Sequence, residues 1–136
     1  MIPKIIHQLW IGPKKAPVKM METWNKLNPK WDYMFWDEKS ISEIFSEGFY
    51  NQKQYEQMPE WNGKCDIARY EILYRFGGFF IDADSICTRP LDDYFLENDS
   101  FSCYENEFLR SQLIAAGYLG CVEQCELMEN LINRIH

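Results

Sequence analysis

Apolar and polar positions alternate along the chain in blocks that change period several times. Lys4 to Ile11 carries Ile5, Ile6, Leu9, Trp10 and Ile11, a mostly apolar run that reads as a first strand and stops at Gly12-Pro13. Pro17 suits the first turn of a helix reaching Leu27, with Val18, Met21, Trp24 and Leu27 as its apolar stripe. Asn28-Pro29 closes it, and Trp31 to Trp36 reads as a second strand. Ser40-Ile-Ser-Glu43 has the form of a capping box and predicts a short helix ending at Gly48. Residues 49–61 show no clear period.

A long helix is expected from Gly63 to Phe76. Cys65, Ala68, Ile72 and Phe76 form its stripe, and Ile67, Tyr70 and Tyr74 widen it. Asp66 and Arg69 share a remaining face one turn apart. Gly77-Gly78 stops the helix. Phe79 to Ile81, with no polar alternation, reads as a short central strand covered on both sides. Thr88 to Leu91 is a loop, 101–104 and 113–119 read as further strands, and 121–135 as an amphipathic helix. That helix turns Val122, Cys125, Met128, Leu131, Ile132 and Ile135 inward. Strands alternating with helices predict an α/β fold with a mainly parallel sheet flanked by helices, in one domain over 1–136.

Composition narrows the functions. At 46% hydrophobic and 16% aromatic residues the chain can build a core, so disorder is excluded. The net charge of −7 argues against nucleic acid, whose phosphates need clustered cations. All nine lysines lie between Lys4 and Lys64. An anionic small ligand would therefore need a metal or a few placed arginines. No apolar run approaches the roughly 20 residues of a membrane span, and the start lacks the apolar region of a signal peptide. A cytoplasmic protein, or one trimmed of its targeting segment, is the expectation. Five cysteines without a Cys-x-x-Cys pair read as reduced, buried thiols rather than a zinc site.

The candidate chemistry lies at the end of the third strand. Asp82 and Asp84, held about 5 Å apart at an effective dielectric near 20, would repel by roughly 3 kcal/mol. A divalent cation removes that repulsion, and hard carboxylate oxygens suit Mg or Mn. Arg69 could offer forked donors to phosphate or sugar oxygens, and Asp66 could accept from sugar hydroxyls. Both also fit a plain ion pair on a solvated face. Trp10 ends the first strand, where open α/β sheets bind ligands, and could stack on a base or serve the core.

Three stretches resemble one family. They are Ile2-Pro-Lys-Ile-Ile-His-Gln-Leu-Trp-Ile-Gly12, Trp31-Asp-Tyr-Met-Phe-Trp-Asp37, and the block Lys64–Asp84 with Asp-x-x-Arg-Tyr, Gly-Gly and Asp-x-Asp in order. They are similar to the Asp-x-Asp-containing sugar transferases related to yeast initiating alpha-1,6-mannosyltransferases, glycosyltransferase family 32-like. Ala116-Gly-Tyr-Leu-Gly120 and the following helix resemble that family's next segment. The resemblance implies a GT-A fold and retaining transfer of a hexose from a UDP- or GDP-sugar to a glycan or other hydroxyl acceptor. It implies that Trp10 stacks on the donor's base, and that Asp66 and Arg69 hold the sugar and its phosphate side. Asp82 would contact the ribose and reach Mn or Mg through water, and Asp84 would bind that metal directly. This chemistry needs no histidine base. Phe80 stands where family members usually carry Tyr, which removes one polar contact. Relatives usually continue beyond the last helix, so the acceptor site is expected to be minimal here, or completed by another chain or an oligomer. Two readings compete. One is a non-catalytic domain that binds nucleotide-sugar, or a partner glycosyltransferase, without turnover. The other is a phosphatase of the haloacid dehalogenase type with Asp82 as nucleophile and Asp84 as acid/base, which would want a lysine downstream of the motif.

Overall fold

The computed structural model describes all residues from Met1 to His136. Five strands form one sheet: β1 (Ile5–Leu9), β2 (Asp32–Trp36), β3 (Gly78–Ile81), β4 (Ser100–Asn106) and β5 (Arg110–Cys121). Their spatial order is β2-β1-β3-β5-β4. Five helices accompany them: α1 (Val18–Leu27), α2 (Glu38–Ile44), α3 (Gln52–Gln57), α4 (Trp61–Phe76) and α5 (Glu126–Ile135). No helix is long and apolar enough to cross a membrane.

The sheet is mixed rather than mainly parallel. β1 pairs in parallel with β2 and β3, through Ile5↔Asp32 and Ile6↔Phe79. β3–β5 and β4–β5 are antiparallel, through Phe80↔Leu119 and Phe101↔Gly120. Helical crossovers supply the parallel half, as the alternation of the first 81 residues requires. The chain after β3 returns through a hairpin, and a hairpin can only be antiparallel.

β3 is central, and all four of its residues are buried. Its side chains alternate between two cores. Phe79 and Ile81 join Ile6, Trp24 and Trp31 under α1. Phe80 joins Trp36, Ile72, Leu73 and Met128 under α4 and α5. The helix stripes expected from sequence are buried at Met21 and Trp24 in α1 and at Met128 and Ile132 in α5, whereas Val18 is exposed.

Three local expectations are corrected. The capping box of α2 lies one turn earlier than Ser40–Glu43: Asp37 accepts from the Ser40 N–H at 2.8 Å and the Ser40 hydroxyl accepts from the Asp37 N–H at 2.8 Å. α3 lies inside the segment that showed no period, and none of its residues is fully buried, so no stripe marks it. Cys121 belongs to β5, not to the last helix, which starts at Glu126. All five thiols are free; Cys87, Cys121 and Cys125 are buried as expected, but Cys103 is exposed on β4.

Candidate active site

The Gly77-Gly78 pair turns α4 into β3. Both glycines have positive φ, +60° and +94°, and a Cβ on Gly78 would stand 2.7 Å from the Ile5 carbonyl oxygen. The turn is braced from below by His7. Its Nε2–H donates to the Gly77 carbonyl at 2.8 Å, and its Nδ1 accepts from the Trp36 indole at 3.1 Å. Burial holds its pKa down at about 4, against a weaker opposite pull from the Gly77 carbonyl. His7 is thus a neutral, fully bonded scaffold residue, outside any proton transfer in the cleft.

β3 ends at Ile81, and the next residues form a tight turn. The Asp82 carbonyl accepts from the Ser85 N–H at 3.2 Å and the Ser85 hydroxyl at 2.6 Å. It also accepts from the Gln8 amide at 3.3 Å, and Gln8 is held in turn by the Tyr33 hydroxyl at 2.7 Å. The Asp82 N–H continues the ladder to the Gly117 carbonyl at 2.9 Å. This backbone anchoring fixes where the Asp82 side chain leaves the sheet. Gly117 makes room for it, since a Cβ there would run into Asp82 Oδ2.

A cleft of about 350 Å³ opens at this point, lined among others by Trp10, Asp66, Arg69, Asp82, Asp84 and Gly117. It lies off the carboxyl ends of the parallel strands β1 and β3, the place open α/β sheets use for ligands. All five residues singled out from sequence meet there. Arg69 is the hub. Its side chain is only 7% exposed, it reaches Asp82 Oδ1 at 2.8 Å and Asp66 Oδ1 at 3.6 Å, and its guanidinium lies 4.9 Å from the centroid of the Phe80 ring. The helix-face pair Asp66–Arg69 is therefore the looser contact, and Asp82 is the closer partner. Arg69 Nε is buried without an acceptor. Burial raises the Asp66 pKa, with Arg69 pulling it down and Asp82 adding to the rise. Asp84 is exposed at the turn. The Trp10 indole N–H donates to the Lys14 carbonyl at 2.7 Å, so its ring is tied to the loop after β1.

No group of three or more His, Cys, Asp or Glu side chains comes together in the chain, so no all-protein metal cage exists. Two carboxylates of hard oxygen character are nevertheless a fitting donor set for Mg or Mn. Such ions take one or two carboxylates and fill the remaining positions with water and substrate phosphates.

Sequence reasoning missed the supports of this site. Gln8 is, with His7, a polar residue in a mostly apolar strand, and a buried polar residue must find a partner; that was its one signal. Ser85 and Gly117 carried no signal without the pairing of β3 with β5.

Fold and site together define an α/β architecture with an Asp-x-Asp turn beside a cationic hub at the strand ends. Residues 15–102 match the family model described as the glycosyltransferase sugar-binding region containing DXD motif. The chain belongs to this family, and the haloacid dehalogenase reading falls. Inositol phosphoceramide mannosyltransferase 3 of Schizosaccharomyces pombe is 35% identical over an alignment of 101 positions that covers 67% of this chain and 26% of that protein. The initiation-specific alpha-1,6-mannosyltransferase of Candida albicans is 32% identical over 68% of this chain and 26% of its own length. An uncharacterised glycosyltransferase of Acanthamoeba polyphaga mimivirus is 32% identical over 77% of this chain and 44% of its own. The solved PaToxG glycosyltransferase superposes with a TM-score of 0.66 at 18% identity, over 97% of this chain and 59% of that one, a likeness of fold. The chain thus spans between about a quarter and a half of the length of these curated relatives.

Proposed function

We propose that this chain is the donor-binding domain, over 1–136, of a metal-dependent retaining glycosyltransferase. It would move a hexose from a UDP- or GDP-sugar to a hydroxyl of a glycan or similar acceptor. The observation that carries this reading is the convergence of Trp10, Asp66, Arg69, Asp82 and Asp84 on one cleft at the strand ends. The relatives named for mannosyl transfer favour mannose as the hexose.

In this reading Asp84, exposed and unpaired, would hold Mn or Mg directly and Asp82 would hold it through water, with the free oxygen of Asp82 placed to meet the donor ribose. A cation held there would supply positive charge to the departing diphosphate. Arg69 stands beside the phosphates as the second positive group, its position set by Asp82 and the Phe80 ring. Asp66 accepts from the sugar hydroxyls, and Trp10 stacks on the base. The bond from the anomeric carbon to the diphosphate breaks as the acceptor oxygen approaches from the same side. The leaving phosphate takes the acceptor's proton. That His7 is neutral and spent on Gly77 and Trp36 supports a route without a histidine base.

The test is calorimetry and thermal shift with GDP-mannose and UDP-sugars, with and without Mn, on wild type and Asp84→Ala. Stabilisation that needs both metal and Asp84 is the expected result. No response to any donor in the presence of Mn sinks the reading. Release of sugar over hours would separate a transferase from a domain that only binds.

A further inference from the structure

The cleft does not end at Trp10. A second hollow of about 440 Å³ shares Trp10 and Asn62 with the first and continues past them, walled by Trp61 and Pro13 and rimmed by Lys14 and Glu60. Its size is that of a small-molecule site, and an apolar wall with a few polar groups at its edge is the usual make-up of one.

Trp61 is the wall. It is 46% exposed, an unfavourable position for so large an apolar ring. It is nonetheless pinned. Gly12 lies so close that a Cβ there would stand 2.8 Å from the indole Cδ2, and Lys64 Nζ stands 5.7 Å from the ring. Trp10 also lines the hollow, tied to the Lys14 carbonyl. Two fixed indoles on one hollow suit a flat ring.

The rim adds selectivity. Glu60 is the N-cap residue of α4, yet its side chain makes no capping bond. Neither Glu60 nor Lys14 takes part in any ion pair of the chain. Both are free to meet a ligand edge. A carboxylate complements two adjacent N–H donors, as on the Watson–Crick edge of guanine, and an ammonium complements the neighbouring carbonyl. Uracil presents one N–H between two carbonyls, and a carboxylate repels those.

We infer that this second hollow is the base subsite, with Trp61 as a further stacking residue and Glu60 as the residue that favours guanine over uracil. The inference rests on the donor-site reading above, and names the donor class as guanosine diphosphate sugars. Asn62 and Pro13 shape the slot.

The test titrates GDP, UDP and inorganic pyrophosphate, each with Mn, into wild type, Trp61→Phe, Trp61→Ala and Glu60→Gln. Wild type should prefer GDP. Trp61→Ala should weaken both nucleotides about tenfold, the scale of one lost base–aromatic stack, and leave pyrophosphate unchanged. Trp61→Phe, which keeps a stacking ring against Gly12, should recover most of the loss. Glu60→Gln should weaken GDP and, with the repulsion of the uracil carbonyls removed, bind UDP at least as well as wild type. Equal binding of GDP and UDP by wild type, or Trp61→Ala that binds nucleotides as wild type does, overturns the inference. So does a Trp61→Ala defect that extends equally to pyrophosphate. Failure of pyrophosphate and every nucleotide to bind wild type with Mn is a different result, and removes the donor site itself.

Discussion

Two residues of the motif sit in opposite environments, and the difference sorts binding from stability. Asp84 is exposed at the turn and has no partner within the chain. Asp84→Ala should leave unfolding free energy within about 0.5 kcal/mol of wild type while abolishing metal-dependent nucleotide binding. Denaturant melts alongside Mn-dependent calorimetry check both halves. Arg69 differs because its guanidinium is buried between Phe80 and Asp82. Arg69→Met should cost about 1–2 kcal/mol, below the full figure for breaking a buried pair because Asp82 is 42% exposed and water can replace part of the loss. It should also weaken pyrophosphate binding at low salt. An Arg69→Met variant that unfolds like wild type and binds pyrophosphate unchanged would remove Arg69 from both roles. Arg69→Lys keeps the charge but not the fork, so it should recover little.

The elements place these residues through close backbone approaches that only glycine permits, and here sequence reading divides. β1, β2, α1, α4 and β3 were legible because each carries a run or stripe with its own period, closed by Gly or Pro. The Lys64–Asp84 block was legible because helix, turn, strand and carboxylates follow one another without interruption. α3 was not, because a six-residue helix with no fully buried residue leaves no stripe. Nor was the mixed sheet, since β4 and β5 read equally well in either direction until their pairing is known. Gly117 shows the same limit. Its importance comes from the antiparallel pairing that sets it against Asp82, 35 positions back in the chain. Gly117→Ala should push the Asp82 carboxylate away from Arg69. The expected result is at least a tenfold loss of Mn-dependent nucleotide affinity with a fall in Tm of only a few degrees. Gly78→Ala should do the reverse damage. Its φ of +94° and the Ile5 carbonyl at 2.7 Å make a side chain costly, so about 2 kcal/mol or more of stability should go before any binding defect is measurable. Calorimetry and melting on the two variants side by side separate a glycine that shapes the site from one that shapes the fold.

The whole molecule stakes part of its stability on one buried histidine. His7 lies in β1 with no exposed surface, between the sheet and the helical core, and both of its ring nitrogens are committed. Its pKa falls from 6.5 to about 4 because burial penalises the imidazolium. In the unfolded chain it would titrate near 6.5. Between those values the unfolded state binds the proton and the native state does not, so stability is full above about pH 6.5 and falls as pH drops toward 4. The difference corresponds to about 3 kcal/mol across the window. Asp66 and Glu71 act with the opposite sign, because burial raises their pKa values and the native state then holds protons that the unfolded state releases. Their terms offset part of the histidine loss, and the interval to read is pH 6.5 to 5, where the unfolded histidine takes its proton. Urea unfolding should lose stability steadily through it, and the His7 ring carbons in an NMR titration should stay at their neutral shifts down to pH 5. A His7 signal that titrates near 6.5 in the folded protein would refute the scaffold role, and would return a protonatable base to the underside of the Gly77-Gly78 turn. Loss of the neutral ring would also loosen the turn that delivers Asp82 to the cleft. That loosening belongs near pH 4, where the folded imidazole takes its proton, so between pH 6.5 and 5 His7 should leave nucleotide binding by the folded protein unchanged.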